Sequence, residues 1–384
     1  MDLYIERDEL GRGLARVQGI IERRSTHPLL SHVLLHARDG GLRMTATDTE
    51  VAFVGELAAN VQSQGQVAVD AANLFQVVRA LPEPTVQLTA TDNHRLEIRS
   101  GRSQFKLPGY AAEDFPPLPA FDARATASVT EGVLRRLVEQ TAFAVATDDV
   151  RYGLNGAHLE LVDGDDGKRL RMVATDGHRL SAADGAIEGE LELQPRTLVP
   201  RKALGVIRKL LEGDDEPVAL SFGENAIRMV RRPKADGEGD APVAGTQTFW
   251  FRMIDGEFPD YHAVVPTENK HRAIIRKDEL ASALKRVAIL VQDRARAVRF
   301  GFNPTELEID VQNVDRGEVR EVVPIELEGE AIQVGFNARY LADVLQVLQG
   351  DRVTLEQAHP LAPCLVKDPD SGDAFFVVMP MRLD

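Results

Sequence analysis

One pattern of residues runs through this chain three times, and that repetition constrains the fold more than any single motif does. Near the start stand Asp8-Glu9-Leu10, then Leu14, Arg16 and Val17. The same letters return at the same spacing as Asp278-Glu279-Leu280, Leu284, Arg286 and Val287. A weaker copy sets Val133 and Leu137 after Thr130-Glu131. Apolar residues at i, i+4 and i+7 put one apolar stripe on a helix. Asp8, Asp278 and Thr130 stand near the helix starts, where a side-chain oxygen can accept from unpaired N–H groups. A second helix repeats as well. Asp70, Pro200 and Asn337 each follow an apolar residue (Val69, Val199, Phe336) and each suits a helix start. Leu74, Leu204 and Leu341 follow at one offset, then Leu81, Leu211 and Leu348 at another. Short strand-like runs come next: Val86-Gln87-Leu88, Val218-Ala219-Leu220 and Val353-Thr354-Leu355.

The segments between the helices correspond too. Leu42-Arg43-Met44-Thr45-Ala46-Thr47-Asp48 matches Leu170-Arg171-Met172-Val173-Ala174-Thr175-Asp176. Phe115-Pro116-Pro117-Leu118-Pro119 matches the stretch from Phe258-Pro259 to Pro266, and these stretches close the first two copies. Alternating β-rich runs between polar turns read as strands. The spacing therefore predicts an α+β chain of three units, 1–124, 125–266 and 267–384, each with two helices packed on small antiparallel sheets. The polar run Lys234-Ala235-Asp236-Gly237-Glu238-Gly239-Asp240 reads as a solvated hairpin tip without function.

A chain of 384 residues is long enough for two or three such domains, and 43% apolar with 27% charged residues is a globular composition. One cysteine, Cys364, excludes a disulfide framework and a multi-thiolate metal site, and fits a reducing compartment. Acids near Met1 stand where a signal peptide would be basic and then apolar, and no apolar stretch approaches bilayer length. A cytoplasmic protein without a membrane span is expected.

Charge argues at first against nucleic acid. With 45 Lys and Arg against 60 Asp and Glu, the net charge is −15, and phosphate binding rests on cations. The sum hides the distribution. The repeated helices carry Arg12, Arg16, Arg135, Arg136, Arg201, Lys202, Arg208, Lys209, Lys285 and Arg286, with Arg23 and Arg24 just after the first. Acids collect in turns such as Asp163-Gly164-Asp165-Asp166. Any one helix of this kind is ordinarily a solvated face, but three copies bring several such faces together. A closed ring would need only weak, sequence-independent phosphate contacts, since closure itself retains the DNA.

With the repeats in place, the run Ala174-Thr175-Asp176-Gly177-His178-Arg179-Leu180 and the ending Val377-Val378-Met379-Pro380-Met381-Arg382-Leu383 resemble the bacterial β sliding clamp family. Asp149-Val150-Arg151-Tyr152, Leu154-Asn155-Gly156 and Phe258-Pro259-Asp260-Tyr261 are similar to it as well, so the likeness covers essentially the whole chain. The resemblance implies a head-to-tail homodimeric ring around duplex DNA, acting as a processivity factor without catalysis or cofactor. It implies peptide partners, namely polymerase, clamp-loader and repair proteins, bound in a pocket. The matching pocket positions are Leu154, Thr175, Gly177, His178, Arg179, Leu180, Pro259, Val264, Asn337, Tyr340, Leu361, Pro363, Val377, Val378, Met379, Pro380, Met381 and Arg382. For DNA contact the resemblance points to Arg24 and Tyr152, and the basic helices add Arg136, Arg201 and Lys202. For the dimer junction it points to Phe105 and Leu107 on one edge and Ile289 and Leu290 on the other. Ala263, Ala295, Gly153 and the terminal Asp384 depart from the family pattern, the first two in the direction of a shallower pocket.

Other chemistry finds little support. His27, His32 and His36 have no carboxylate pattern to complete a metal site. The Asp163 to Gly167 run lacks the terminal bidentate Glu of a calcium loop. His178 beside Asp176 suggests acid–base work but has no nucleophile motif with it. No Gly-x-x-x-x-Gly-Lys-Ser/Thr loop is present, so the chain itself is not expected to hydrolyse nucleotides; a separate ATP-driven loader that opens the ring is what the resemblance implies. The rival from another class is a repeat-built peptide scaffold that never meets DNA.

Overall fold

The computed structural model describes the chain except for residues 23–26, 119, 148–149, 190, 192, 195, 212, 233–243, 292–296, 314–316 and 384. Among the described residues the repeat pattern yields six α-helices where the spacing predicts them: α1 Arg7–Val17, α2 Ala71–Ala80, α3 Glu131–Thr141, α4 Arg201–Leu210, α5 Lys277–Val287 and α6 Ala338–Val347. Each stripe turns inward. Leu10, Leu14 and Val17 on α1 and Leu280, Leu284 and Val287 on α5 are fully buried or nearly so, each worth roughly 1.5–3 kcal/mol relative to exposure. In α3 the buried face is Leu134, Leu137 and Val138, while Val133 sits at its margin.

The expected caps divide. Asp70 accepts from the Asn73 amide at 2.8 Å, Asn337 from Arg339 at 3.0 Å and the Thr130 hydroxyl from Val133 at 3.3 Å. Asp8 and Asp278 do not cap their helices. The chain enters α1 and α5 straight from a strand, so the cap positions fall to Glu6 and Arg276, and the two aspartates lie inside the first turn. There they favour the positive helix end and pair with Arg7 and Arg276, each at 2.9 Å.

Among the described residues the strands form antiparallel sheets of five, nine and twelve strands. These are larger than the expected small sheets because the repeats join edge to edge. Val51–Leu57 of the first repeat pairs with Gln247–Arg252 of the second, placing Phe53 opposite Phe249. Arg179–Ala186 of the second pairs with Ala374–Val378 of the third, placing Leu180 opposite Val377. The five-stranded sheet runs Asn60–Ser63, Asp2–Glu6, Thr85–Ala90, Leu96–Ser100, Ser103–Leu107, with the last strand at its edge.

By contact density the chain divides into two compact units, and the middle third is shared between them. One comprises Met1–Arg135, Ile187–Leu193 and Lys202–Met253; the other Arg136–Ala186, Gln194–Arg201 and Ile254–Asp384. In the second unit the third repeat's core gathers Phe300, Phe336 and Phe376 with the buried faces of α5 and α6. A smaller cluster holds Val173, Leu180, Ala182, Tyr261, Leu365 and Val377. This smaller core lies under the candidate site.

Candidate functional site

The site is built on a turn whose geometry the Thr-Asp pair dictates. The Thr175 hydroxyl donates to the Arg179 carbonyl at 2.7 Å and accepts from the Gly177 amide at 3.1 Å. Asp176 Oδ1 accepts from the amides of His178 and Arg179, both at 3.0 Å. The same bonds recur in the first repeat, where the Thr47 hydroxyl donates to the Val51 carbonyl and Asp48 accepts from the amides of Glu50 and Val51. Both turns need a positive φ at the third residue, Gly177 at +85° and Thr49 at +79°.

This turn ends at Arg179, the main electrostatic tie of the site. Its guanidinium donates to Asp176 at 3.1 Å, to Asp343 at 2.5 Å and to the Phe143 carbonyl at 2.7 Å. It also lies over the rings of Tyr340 at 4.7 Å and Phe143 at 5.0 Å. The side chain is thereby fixed, and its charge is largely used inside the protein.

Beside the turn opens a cavity of about 190 Å³, lined by Arg151, Leu154, Thr175, Gly177, Arg179, Leu180, Pro259, Asp260, Tyr261, Val264, Val377 and Met379. Leu154, Leu180 and Val377 form an apolar floor that is almost wholly buried. The short 3₁₀ turn Tyr261–Val264 forms one wall, and Asp260 caps it by accepting from the His262 amide at 3.1 Å. An apolar cavity of roughly 150 Å³ holds a benzene molecule, so this space suits one Leu- or Phe-sized side chain.

Of the eighteen pocket candidates, nine line this cavity. The others are placed around it or away from it. His178 stacks on Tyr340 with ring centroids 6.3 Å apart, and its carbonyl accepts from the Met379 amide at 2.9 Å. Asn337 caps α6, and Met381 bonds back to the Gly335 carbonyl at 2.7 Å; of its chain neighbours, Pro380 is half-buried and Arg382 exposed. Leu361 is 63% exposed and Pro363 half-buried, both on the connection before the strand Cys364–Lys367. Val378 lies apart from the cavity lining. Side chains alternate along a strand, so Val377 faces the cavity while Val378 is fully buried in the third repeat's core. Its side chain is not offered to a ligand. Arg151, Asp260 and Tyr261 line the cavity although the sequence did not single them out individually. Their signal was membership of the Asp149–Tyr152 and Phe258–Tyr261 runs.

The DNA candidates divide as sharply. Tyr152 is 73% exposed and Arg201 is exposed at the start of α4. Lys202, in contrast, gives its ammonium to the carboxylate of buried Asp48. Arg136 is half-buried, donating to the Asp184 carbonyl at 3.1 Å and lying 3.7 Å from Asp373. In the single chain both cations are thus engaged by groups of the protein itself. Arg208, Lys209 and Lys285 remain exposed on α4 and α5. Arg24 and Ala295 lie outside the described residues, as does the 234–240 run. Of the junction candidates, Phe105 is 38% and Ile289 69% exposed, while Leu107 and Leu290 are half-buried. Among the described residues no cluster of three His, Cys, Asp or Glu could hold a metal ion, and no helix is long and apolar enough to cross a membrane.

Against this geometry the comparisons with known proteins are consistent along the whole chain. Three family models match in succession: the DNA polymerase III beta subunit N-terminal domain over residues 1–119, its central domain over 128–260 and its C-terminal domain over 262–382. The chain is 36% identical to the beta sliding clamp of Caulobacter vibrioides and 33% identical to that of Escherichia coli, in each case over 100% of both proteins. Among solved structures it is similar to the Caulobacter crescentus beta sliding clamp, with a TM-score of 0.90 at 35% identity. The Bartonella birtlesii sliding clamp bound to griselimycin gives 0.91 at 32% identity, and both cover 100% of each chain.

Proposed function

Because the chain belongs to the DNA polymerase III beta subunit family, the bacterial sliding clamps, we propose that it is a DNA sliding clamp. Two copies close into a ring around duplex DNA in the cytoplasm and tether a polymerase, a clamp loader and repair proteins. Each partner inserts an apolar side chain of a short peptide into the cavity between Leu154, Leu180, Val377 and the 259–264 wall. Burying one such anchor contributes roughly 1.5–3 kcal/mol, which suits partners that must exchange.

The strongest support for closure is a pair of uncovered strand edges that answer one another. Within the chain, the strand after each Thr-Asp turn pairs with the last sheet strand of the next repeat. The third repeat's counterpart, the first half of Gly317–Glu328, and the first repeat's counterpart, Ser103–Leu107, have no strand on that side among the described residues. Uncovered edges invite pairing, and a head-to-tail dimer covers both at once. Carrying over the internal registers sets Leu107 opposite Gly317 of the partner subunit, and Phe105 opposite Val319 of the partner subunit. The same step sets Lys106 opposite Glu318 of the partner subunit. At the second junction Phe143 and Phe376 meet with ring centroids 6.1 Å apart. Ile289 and Phe105 occupy the corresponding places, so the third junction rests on the same apolar contact.

No chemistry is assigned to His178 and Asp176. Both Asp176 oxygens are engaged in holding the turn and Arg179, so the carboxylate acts as a fastener. Contact with DNA falls to Tyr152, Arg201 and the exposed cations of α4 and α5. These are few enough to permit sliding, with closure providing retention. Ring opening is left to a separate ATP-driven loader.

Retention on nicked circular DNA, after loading with a compatible loader and ATP, tests this reading. Release when the circle is linearised is the expected result. A loaded complex that stays bound to linear DNA would mean direct binding and no ring, and failure to load beside a working control clamp would favour a peptide scaffold.

A further inference from the structure

Behind the cavity lies a row of charges that the peptide-site reading does not use. Residues directly opposite on neighbouring strands point to one face of a sheet. Glu160 stands opposite Arg171, and Arg171 opposite Asp184, so the three strands carry a negative, positive, negative row. The next row on that face is His158, Val173 and Ala182, and the one after it is Thr175, Leu180 and Val377, the cavity floor. One short segment crosses all three rows. At its start Phe258 stacks on His158, with centroids 5.3 Å apart and planes 16° from parallel. Farther on, Tyr261, only 4% exposed, lines the cavity while its hydroxyl reaches the charged row. That hydroxyl donates to Glu160 and accepts from Arg171 Nη1 at 3.2 Å. Arg171 is itself held, giving Nε and Nη2 to the two oxygens of Asp184 at 2.6 and 2.7 Å and lying over Phe375 at 5.5 Å.

The wall carrying Pro259 and Val264 is therefore tied to the sheet at two points, one apolar and one polar. Two charged partners fix the tyrosine's distance from the floor. In a cavity that holds one side chain, the position of a wall decides which side chain fits, and a wall fixed in advance costs nothing to order on binding. We propose that Tyr261 is the positioning residue of the cavity: held by Glu160 and Arg171, it sets the 259–264 wall and with it the preference among anchor side chains. Burial pushes its phenol up to about 12, so the hydroxyl keeps its proton throughout the working range. The His158 ring, and then the Tyr261 hydroxyl, hold Glu160 below the usual carboxylate range, so the acceptor stays ionised.

The inference rests on the cavity taking a peptide anchor. Two fluorescent peptides that differ only in a Leu or a Phe anchor are titrated against the full-length protein and its variants. Tyr261→Phe keeps the ring and loses the tether. It is expected to weaken the preferred peptide about tenfold, in line with losing a hydrogen bond to a charged group, and to shrink the Leu-to-Phe ratio at least threefold. Glu160→Gln still offers an oxygen to the hydroxyl and should retain the ratio, while Glu160→Leu should lose it. A ratio unchanged in Tyr261→Phe overturns the proposal. Equal loss for both peptides alongside a lowered Tm overturns it as well, since that outcome marks a merely structural role. If the unaltered protein binds neither peptide, the peptide-site reading fails first and takes the proposal with it.

Discussion

Gly177 shows how far one residue can be read before its surroundings are known. The Thr-Asp-Gly run marks a turn in the sequence, and the left-handed φ of +85° explains the glycine. Yet Thr49 holds the same place in the first repeat at +79°, so the turn alone does not demand a glycine. The second repeat adds Arg151: a Cβ on Gly177 would come 3.3 Å from its Nη2, at the mouth of the cavity. Gly177→Ala should therefore cost about 1 kcal/mol in backbone strain and also displace Arg151, weakening peptide binding by more than the lost stability explains. Thermal unfolding beside a peptide titration separates the two effects, and an unchanged affinity would mean that Arg151 does not shape the mouth. Lys202 and Arg136 mark the limit of such reading. Their charges were legible, but the groups that take them up, Asp48, Asp184 and Asp373, stand between 48 and 237 positions away in the chain.

Helices were legible as whole elements because their information is local. Period and stripe fall within a dozen residues, and the recurrence of α1 in α5, with α3 as a weaker copy, and of α2, α4 and α6 reinforces each reading. Strand pairing between repeats has no such signature. Nothing near Arg179–Ala186 announces Ala374–Val378 as its neighbour, so the fusion of small sheets into large ones stayed hidden. Without that register the parity of the C-terminal run is open as well, and the resemblance assigns both Val377 and Val378 to the pocket. Their opposite faces predict opposite phenotypes. Val378→Ala should lower stability by about 2 kcal/mol through lost burial and a new cavity while leaving peptide affinity nearly intact. Val377→Ala removes part of the cavity floor and should weaken the peptide more than it lowers Tm. Denaturant unfolding and peptide titration of the two variants would reverse the assignment if the effects came out exchanged.

At the scale of the whole molecule the difficulty is charge, since each copy carries −15 and a ring of two therefore carries 2 × −15 = −30. Long-range repulsion opposes closure, so the junction must rest on short-range contacts that hold regardless of the sum. The proposed pairing offers these: a continued strand ladder, and Ile289 against Phe105 of the partner subunit. Ile289, 69% exposed in the single chain, can become buried only through assembly, so its substitution should spare the fold and strike the ring. Ile289→Asp would place an unpaired carboxylate in an apolar contact, a cost of several kcal/mol at each of two junctions. The expected outcome is a folded single-copy species in sedimentation equilibrium, with unchanged Tm at low concentration and no retention on circular DNA. Added salt should tighten the unaltered dimer by screening the mutual repulsion, yet fail to rescue the variant. A variant that keeps the two-copy mass would show that closure uses other edges, and the register carried over from the internal junctions would fall with it.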